Sequence, residues 1–297
     1  MPTGRGSIRF PDDMDHSSQA ADGNFRLRLW GVRGSTPTPV ERNLGHGGNT
    51  CCVQICVHGE DGSGDDELLI LDAGSGIRAL GAVIAGRARP PSAVHIFFTH
   101  FHWDHVQGLP FFAPLFSPHS RVVFHSVLPA QELRAILGRQ MASPFFPVDF
   151  GAVAAQTEFR QITAPQSFGA VTLETFPLHH PQGSVGYRIA DDRRAVVFAT
   201  DHEHGVAEID RRLRDLARDA DALIYDAQYT AQEYAGRKGW GHSTWKEAVA
   251  VARDAQVKRL VLFHHDPERD DRALDGVVAE AQGEFPHTVA ARESMLI

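Results

Sequence analysis

From Phe25 onward the chain alternates short apolar runs with turn signals and with stretches whose apolar residues recur at helical spacing. Runs at Phe25 to Trp30, Cys51 to His58 and Leu68 to Leu71 predict strands, the last two joined by a turn over Gly59-Glu60-Asp61-Gly62-Ser63-Gly64. Further apolar runs cover Val94 to Phe98, Val171 to Leu178, Ala195 to Ala199, Ala222 to Tyr225 and Leu260 to Phe263. Helical spacing covers Ile77 to Gly86, Ala130 to Gln140, Gly205 to Ala220, Thr244 to Ala255 and Asp271 to Gln282, with Ile209, Leu213 and Leu216 forming one such stripe. Thr244-Trp245-Lys246-Glu247 is a capping-box pattern, in which the Thr hydroxyl and the Glu carboxylate satisfy the first free amides of a helix. The alternation predicts α/β layers rather than a bundle or a pure sandwich. Residues 1–24 are rich in Gly, Ser and Asp and lack apolar periodicity, which predicts a disordered tail ahead of a domain over residues 25–297.

Composition narrows the class. With 297 residues, 42% apolar and 22% charged, the chain reads as a soluble globular protein long enough to bury a full core. No apolar run approaches the roughly 20 residues of a membrane span, and the first residues lack the apolar core of a signal peptide, so the expected address is the cytoplasm. Cys51, Cys52 and Cys56 are too crowded to make a disulfide framework. The net charge of −8 argues against a long nucleic acid as partner, since that binding is driven by Lys and Arg on phosphates. The 17 histidines exceed what packing requires.

Their placement gives them a reason. The apolar runs end in Thr99-His100, His179-His180, Thr200-Asp201, Asp226 and His264-His265, so strands sharing one end would bring these side chains to one cleft. Thr99-His100-Phe101-His102-Trp103-Asp104-His105 holds three histidines and a carboxylate. On a loop after a strand, His100 and His102 can face one cation while Asp104 and His105 face a second. Imidazole with carboxylate suits zinc, manganese, iron or nickel, whereas calcium or magnesium calls for oxygen throughout. The alternative is a His-rich surface loop.

H-x-H-x-D-H after an apolar strand resembles the signature of the metallo-β-lactamase superfamily, and the resemblance covers nearly the whole chain after the tail. Leu178-His179-His180-Pro181, Ala199-Thr200-Asp201 and Leu262-Phe263-His264-His265-Asp266-Pro267 are similar to its later motifs. The resemblance implies a four-layered αββα sandwich with two divalent transition-metal ions, zinc or manganese, at one edge. It implies His100, His102 and His180 on the first metal, Asp104, His105 and His264 on the second, and Asp201 bridging both. His179 and His265 are the alternatives to His180 and His264.

Four features bear on the branch. His105 stands where lactamases of the commonest type carry another residue, and His100 and His102 lack the Glu of the oxygen-reducing branch. Gly241-His242-Ser243-Thr244 resembles a loop of the ribonuclease Z-like phosphodiesterases, and Leu223 to Tyr229 resembles the acidic motif that precedes it, with Tyr225 where a His is common and Asp226 where a Glu is common. There the acidic residue orients the loop histidine, a supporting role that falls to Asp226. Trp30 to Pro37 and Gly47 to Thr50 also look like segments of cyclic-phosphate hydrolases, though Gly and Pro there equally set turns. Leu71 to Gly76 lacks the Lys-Ser/Thr of a P-loop and reads as a strand-to-helix turn, with Asp72 supporting the site.

By this resemblance two cations would lower the pKa of a shared water, Asp104 would orient that water and take its proton, and His242 would donate to the phosphoryl oxygen or leaving group. The alternative for His242 is a helix-entry residue without chemistry. The short stretch from Asp201 to His264 has no room for a large inserted domain, and no Gly/Lys-rich arm is obvious, so the expected partner is a small phosphodiester such as a cyclic nucleotide. Met141 to Val148 reads either as a lid or as a packed loop. Rival readings are hydrolysis of a lactone, thioester or other carbonyl substrate, and a metal-binding sensor without catalysis. Similar proteins suggest a homodimer.

Overall fold

The computed structural model describes residues 24–57 and 67–297. Apart from Asn24, the expected tail lies outside the described residues, as does the turn over 59–64. The first sheet contains β1 (Phe25–Gly31), β2 (Cys52–Val57), β3 (Glu67–Leu71), β4 (Ala93–Phe97), β5 (Arg121–Ser126) and β6 (Gln156–Gln161), in that spatial order. The second has β7 (Gln166–Phe168), β8 (Val171–Leu178), β9 (Ser184–Ala190), β10 (Ala195–Ala199), β11 (Ala222–Asp226), β12 (Leu260–Phe263) and β13 (Thr288–Ala290), with β13 at one edge and β7 at the other. The helices are α1 (Ile77–Ala85), α2 (Trp103–Val106), α3 (Ala130–Gln140), α4 (Ala207–Ala217), α5 (Ala231–Ala235), α6 (Trp245–Asp254) and α7 (Asp271–Glu284). None of the described helices is long and apolar enough to cross a membrane.

The period of two along each strand makes the layers. In β3, Leu69 and Leu71 face the second sheet and join Phe198, Ile224 and Phe263 in the core between the sheets. Leu68 and Ile70 face outward onto α1 and α3. In the second sheet Val197, Leu223 and Leu262 face outward onto α4, α6 and α7. The result is the αββα sandwich. The chain's last residues return to the first sheet, where Leu27 and Ile297 exchange backbone hydrogen bonds, each 2.9 Å, alongside β1.

Topology decides where the site lies. β8 and β10 are both antiparallel to β9, and β10, β11 and β12 are parallel, so four strands end at the same sheet edge. Two local expectations change. The segment after β4 is not loop throughout, because Trp103–Val106 closes a helical turn and His105 N donates to the His102 carbonyl at 3.0 Å. The cap at α6 is half a box: Thr244 Oγ1 accepts from Glu247 N, but the Glu247 carboxylate takes Arg214 Nη2 at 2.9 Å instead. A full capping box stands at Thr230 and Glu233, opening α5.

His95 on β4 and His125 on β5 lie buried between the layers, His95 Nδ1 2.9 Å from His125 Nε2, with the His125 ring stacked on Phe97 at 4.2 Å. Burial, then the neighbouring His95, lowers the His125 pKa to about 3. The unfolded chain takes that proton near pH 6.5 and the folded chain resists it, so the stability present above about 6.5 is lost as pH falls toward about 3, by about 1.4 kcal/mol per pH unit inside the window. Urea denaturation at pH 7.5 and pH 5 measures the summed slope, to which His95, His100, His180 and His265, also lowered by burial, contribute. His125→Phe, which keeps the stack on Phe97, is expected to make it shallower, and an equal slope in both proteins refutes the assignment.

Candidate metal centre

Strand ends deliver the site residues. Thr99 and His100 follow β4, His180 follows β8, Asp201 follows β10, Asp226 closes β11 and His264 follows β12. Asp72, Asp201 and His264 take left-handed backbone conformations, with φ of 59°, 56° and 60°. Such geometry is costly for residues with a Cβ and turns the chain sharply at the strand end, as is common where function fixes a side chain.

These residues gather in two adjoining clusters, His100 with His102 and His180, and Asp104 with His105, Asp201 and His264. Asp201 stands between them. Its Oδ1 is 3.8 Å from His100 Nε2, 3.8 Å from His180 Nε2 and 3.3 Å from His264 Nε2, and its Oδ2 is 3.1 Å from His105 Nε2. A third grouping joins Asp201 and His264 to Asp226 and His242. His179 and His265 stay outside: His179 Nδ1 bonds the Glu203 carbonyl at 3.0 Å and His265 Nε2 the Ala291 carbonyl at 2.8 Å.

Each imidazole in the clusters hands one nitrogen to the protein. His105 Nδ1–H donates to Asp72 Oδ2 at 2.8 Å, His180 Nδ1–H to the Gly241 carbonyl at 2.8 Å, and His264 Nδ1–H to Gln228 Oε1 at 2.9 Å. His102 Nε2–H donates to Gln182 Oε1 at 2.9 Å. Thr99 Oγ1 gives its own proton to Asp72 Oδ2 and takes that of His100 Nδ1 at 3.0 Å. These acceptors fix which nitrogen of each ring faces the protein, so the inward nitrogens become lone pairs for a ligand once any proton they carry is lost. Two of them, His100 Nε2 and His105 Nε2, are buried without a hydrogen-bond partner. Buried lone pairs converging with carboxylate oxygens are what a pair of divalent transition metals requires, so the residues present fit such a centre.

Electrostatics divides the two clusters. Burial lowers the His100 and His180 pKa values, which keeps those rings neutral. Burial acts the same way on His264, yet Asp201, Asp104 and Asp226 outweigh it and hold the ring up to about 9. His105 is also raised, against burial, by Asp201, Asp104 and Asp72. Conversely Asp104 and Asp201 stay below the usual carboxylate range, because neighbouring imidazoles overcome the opposing effect of burial. The excess of carboxylate here holds protons on imidazole nitrogens, and a metal competes for those same nitrogens.

The supporting frame is partly invisible in residue type. Ser35 N donates to Asp104 Oδ2 at 2.8 Å from a backbone with φ of 60°. Arg33, fully buried, ties this loop to the loop that follows His264, with Nε on the Gly47 carbonyl at 2.8 Å and Nη1 on the Arg269 carbonyl at 2.7 Å. A Cβ at Gly34 would lie 2.3 Å from His264 Nδ1, and one at Gly241, where φ is +90°, 2.2 Å from His180 Nδ1. Glu203 accepts Gly239 N at 2.7 Å, Gly241 N at 2.8 Å and the Tyr234 hydroxyl at 2.9 Å, so it holds the loop that carries His242. Ser35 and Gln228 lie inside two segments singled out in the sequence, though with no role read for either, and Gln182 and Glu203 lie outside every motif. In the segment from Met141 to Val148, Met141 is buried, Phe146 packs on Phe111 at 5.7 Å, and Phe145 is exposed.

A profile of the Beta-lactamase superfamily domain matches residues 68–265. Ribonuclease Z of Thermoplasma volcanium is 23% identical over 314 residues, covering 92% of this chain and 96% of that protein. Among solved structures, the metallo-beta-lactamase fold protein YhfI from Bacillus subtilis aligns with a TM-score of 0.67 at 18% identity, over 93% of this chain and 99% of that one. Human tRNase Z, short form, aligns with a TM-score of 0.60 at 21% identity, over 92% and 98%. Since the matched stretch opens inside β3 and closes on His264-His265, it takes in every residue of the clusters, and the chain belongs to the metallo-β-lactamase superfamily, with ribonuclease Z proteins among its distant relatives.

Proposed function

We propose that this metal-dependent hydrolase is a phosphodiesterase with a small phosphodiester, such as a cyclic nucleotide, as substrate. The observation that carries the reading is the pairing of His242 with Asp226 beside the carboxylate-rich cluster: Nδ1 lies 2.8 Å from Asp226 Oδ2, and the ring stacks on His264 at 4.7 Å. The shorter Asp in place of the Glu common in ribonuclease Z-like proteins still makes the contact. Its carboxylate is fixed by the amides of Asp201 at 3.0 Å, Gln228 at 3.2 Å and Ser243 at 3.2 Å. An imidazole so braced, next to a centre for two cations, supplies a donor where a phosphoryl group would react.

In this reading His100, His102 and His180 hold one metal, Asp104, His105 and His264 the other, and Asp201 serves both. Zinc and manganese suit the ligand set. Two such ions, when bound, lower the pKa of a water and offset charge on a phosphoryl oxygen. Asp104, whose Oδ2 accepts Ser35 N and lies 3.2 Å from His264 Nε2, would orient the attacking water and take its proton. With Nδ1–H held by Asp226, His242 meets the substrate through Nε2, and in its doubly protonated form, with Asp226 as counter-ion, it gives the Nε2 proton or a hydrogen bond from it to the phosphoryl oxygen or the leaving group. Two features support a small substrate: the short stretch between Asp201 and His264 and the net charge of −8.

Bis(p-nitrophenyl) phosphate tests the reaction class, offered to protein loaded with zinc or with manganese beside a thioester and a lactone. Turnover of the phosphodiester alone is expected, abolished by a chelator and restored by the metal; acyl turnover without phosphodiester turnover overturns the reading. His242→Ala is expected to lower kcat about 100-fold or more with metal content unchanged. A wild-type rate on every phosphodiester tried removes His242 from the reaction.

A further inference from the structure

Two of the four tryptophans, Trp30 and Trp245, are packed inside, at 9% and 3% exposure. The others, Trp103 at 64% and Trp240 at 61%, are exposed, and each is bonded in the chain to a residue at one end of a row of close contacts in the site. His102 Nδ1 lies 3.0 Å from His180 Nε2, and His180 Nδ1 meets the Gly241 carbonyl at 2.8 Å. Trp103 is the chain neighbour of the first residue of this row and Trp240 that of the last. Both lie on restrained backbone. Trp103 begins α2, whose Gln107 N bonds back to the Trp103 carbonyl at 2.8 Å, and Trp240 sits between Gly239 and Gly241, whose amides Glu203 accepts.

We propose that Trp103 and Trp240 form a clamp for a planar ring, a nucleobase or an aryl group, on the non-leaving side of the phosphodiester. This rests on the phosphodiesterase reading and adds its substrate class. Indoles give large, stiff stacking faces with only two side-chain torsions, and the restrained backbone beneath them lessens the freedom lost when the ring enters. Stacking tolerates any base because every base offers a π-face. Trp103 and Trp240 are specificity residues, and Glu203 is a positioning residue that acts through Trp240.

The test compares two esters with the same p-nitrophenolate leaving group, thymidine 5′-(p-nitrophenyl) phosphate and methyl p-nitrophenyl phosphate, on the metal-loaded protein. The wild type is expected to favour the thymidine ester. Trp103→Ala and Trp240→Ala should each raise KM for that ester about 10-fold with kcat kept, leave the methyl ester nearly unchanged, and be largely rescued by Phe at the same position. Thymidine 5′-phosphate should quench the emission of the exposed indoles in the wild type and less in each Ala variant, whereas methyl phosphate should quench neither. Equal losses on both esters, or no loss, overturn the clamp. If the wild type cleaves neither ester, the phosphodiesterase reading falls, and the quenching then decides the clamp alone: quenching that the Ala variants do not reduce refutes it.

Discussion

Nothing in the site would work if its imidazoles were free to choose their tautomer. A buried histidine with two unassigned nitrogens can point a proton or a lone pair into a cleft, and a metal accepts only the latter. Asp72, the Gly241 carbonyl, Gln228 and Gln182 remove that choice by each taking one N–H. Asp72 does most, since it also accepts the Thr99 amide at 2.8 Å and, through the Thr99 hydroxyl, sets the His100 ring. The cost is a left-handed backbone at Asp72 and a carboxylate buried with no access to water.

Those acceptors come from both sheets, which makes the two halves of the sandwich interdependent. Asp72 leaves β3 in the first sheet and Gln228 follows β11 in the second, while Arg33 fastens the loop after β1 to the carbonyls beyond His264. The core between the sheets therefore does more than exclude water, because its packing fixes the separation at which two sets of ligands meet. Glu203 extends the arrangement outward by holding a loop rather than a ligand.

Much of this was legible in the sequence for a physical reason. His and Asp at the ends of apolar runs declare themselves by residue type, and the parallel order of β10 to β12 is what converts their spacing into a common edge. Five strands go unread in the sequence: β5, whose short buried run Val122-Val123-Phe124 does carry an apolar signal, and β6, β7, β9 and β13, which declare little. β6 is a half-exposed edge strand with polar residues at most positions, β7 and β13 have three residues each, and β9 exists because β8 turns back on itself. The outer acceptors were hidden for a different reason. A Gln or a glycine carbonyl acquires its role from what lies opposite, and a serine amide bonding Asp104 involves no side chain. The half-formed box at Thr244 shows the same limit, as Glu247 could be read from the motif but its partner Arg214 on α4 could not.

Gly34 and Gly241 lie against the ring nitrogens of His264 and His180 with no room for a methyl group. The ligands are thus defined as much by space left empty as by atoms provided. In a saturation library of this gene, those two positions would tolerate as little as the histidines they touch, although neither has a side chain with any chemistry. A substitution map ranked by tolerance would outline the metal centre by its outer mould, and would include residues that a search for ligands alone passes over.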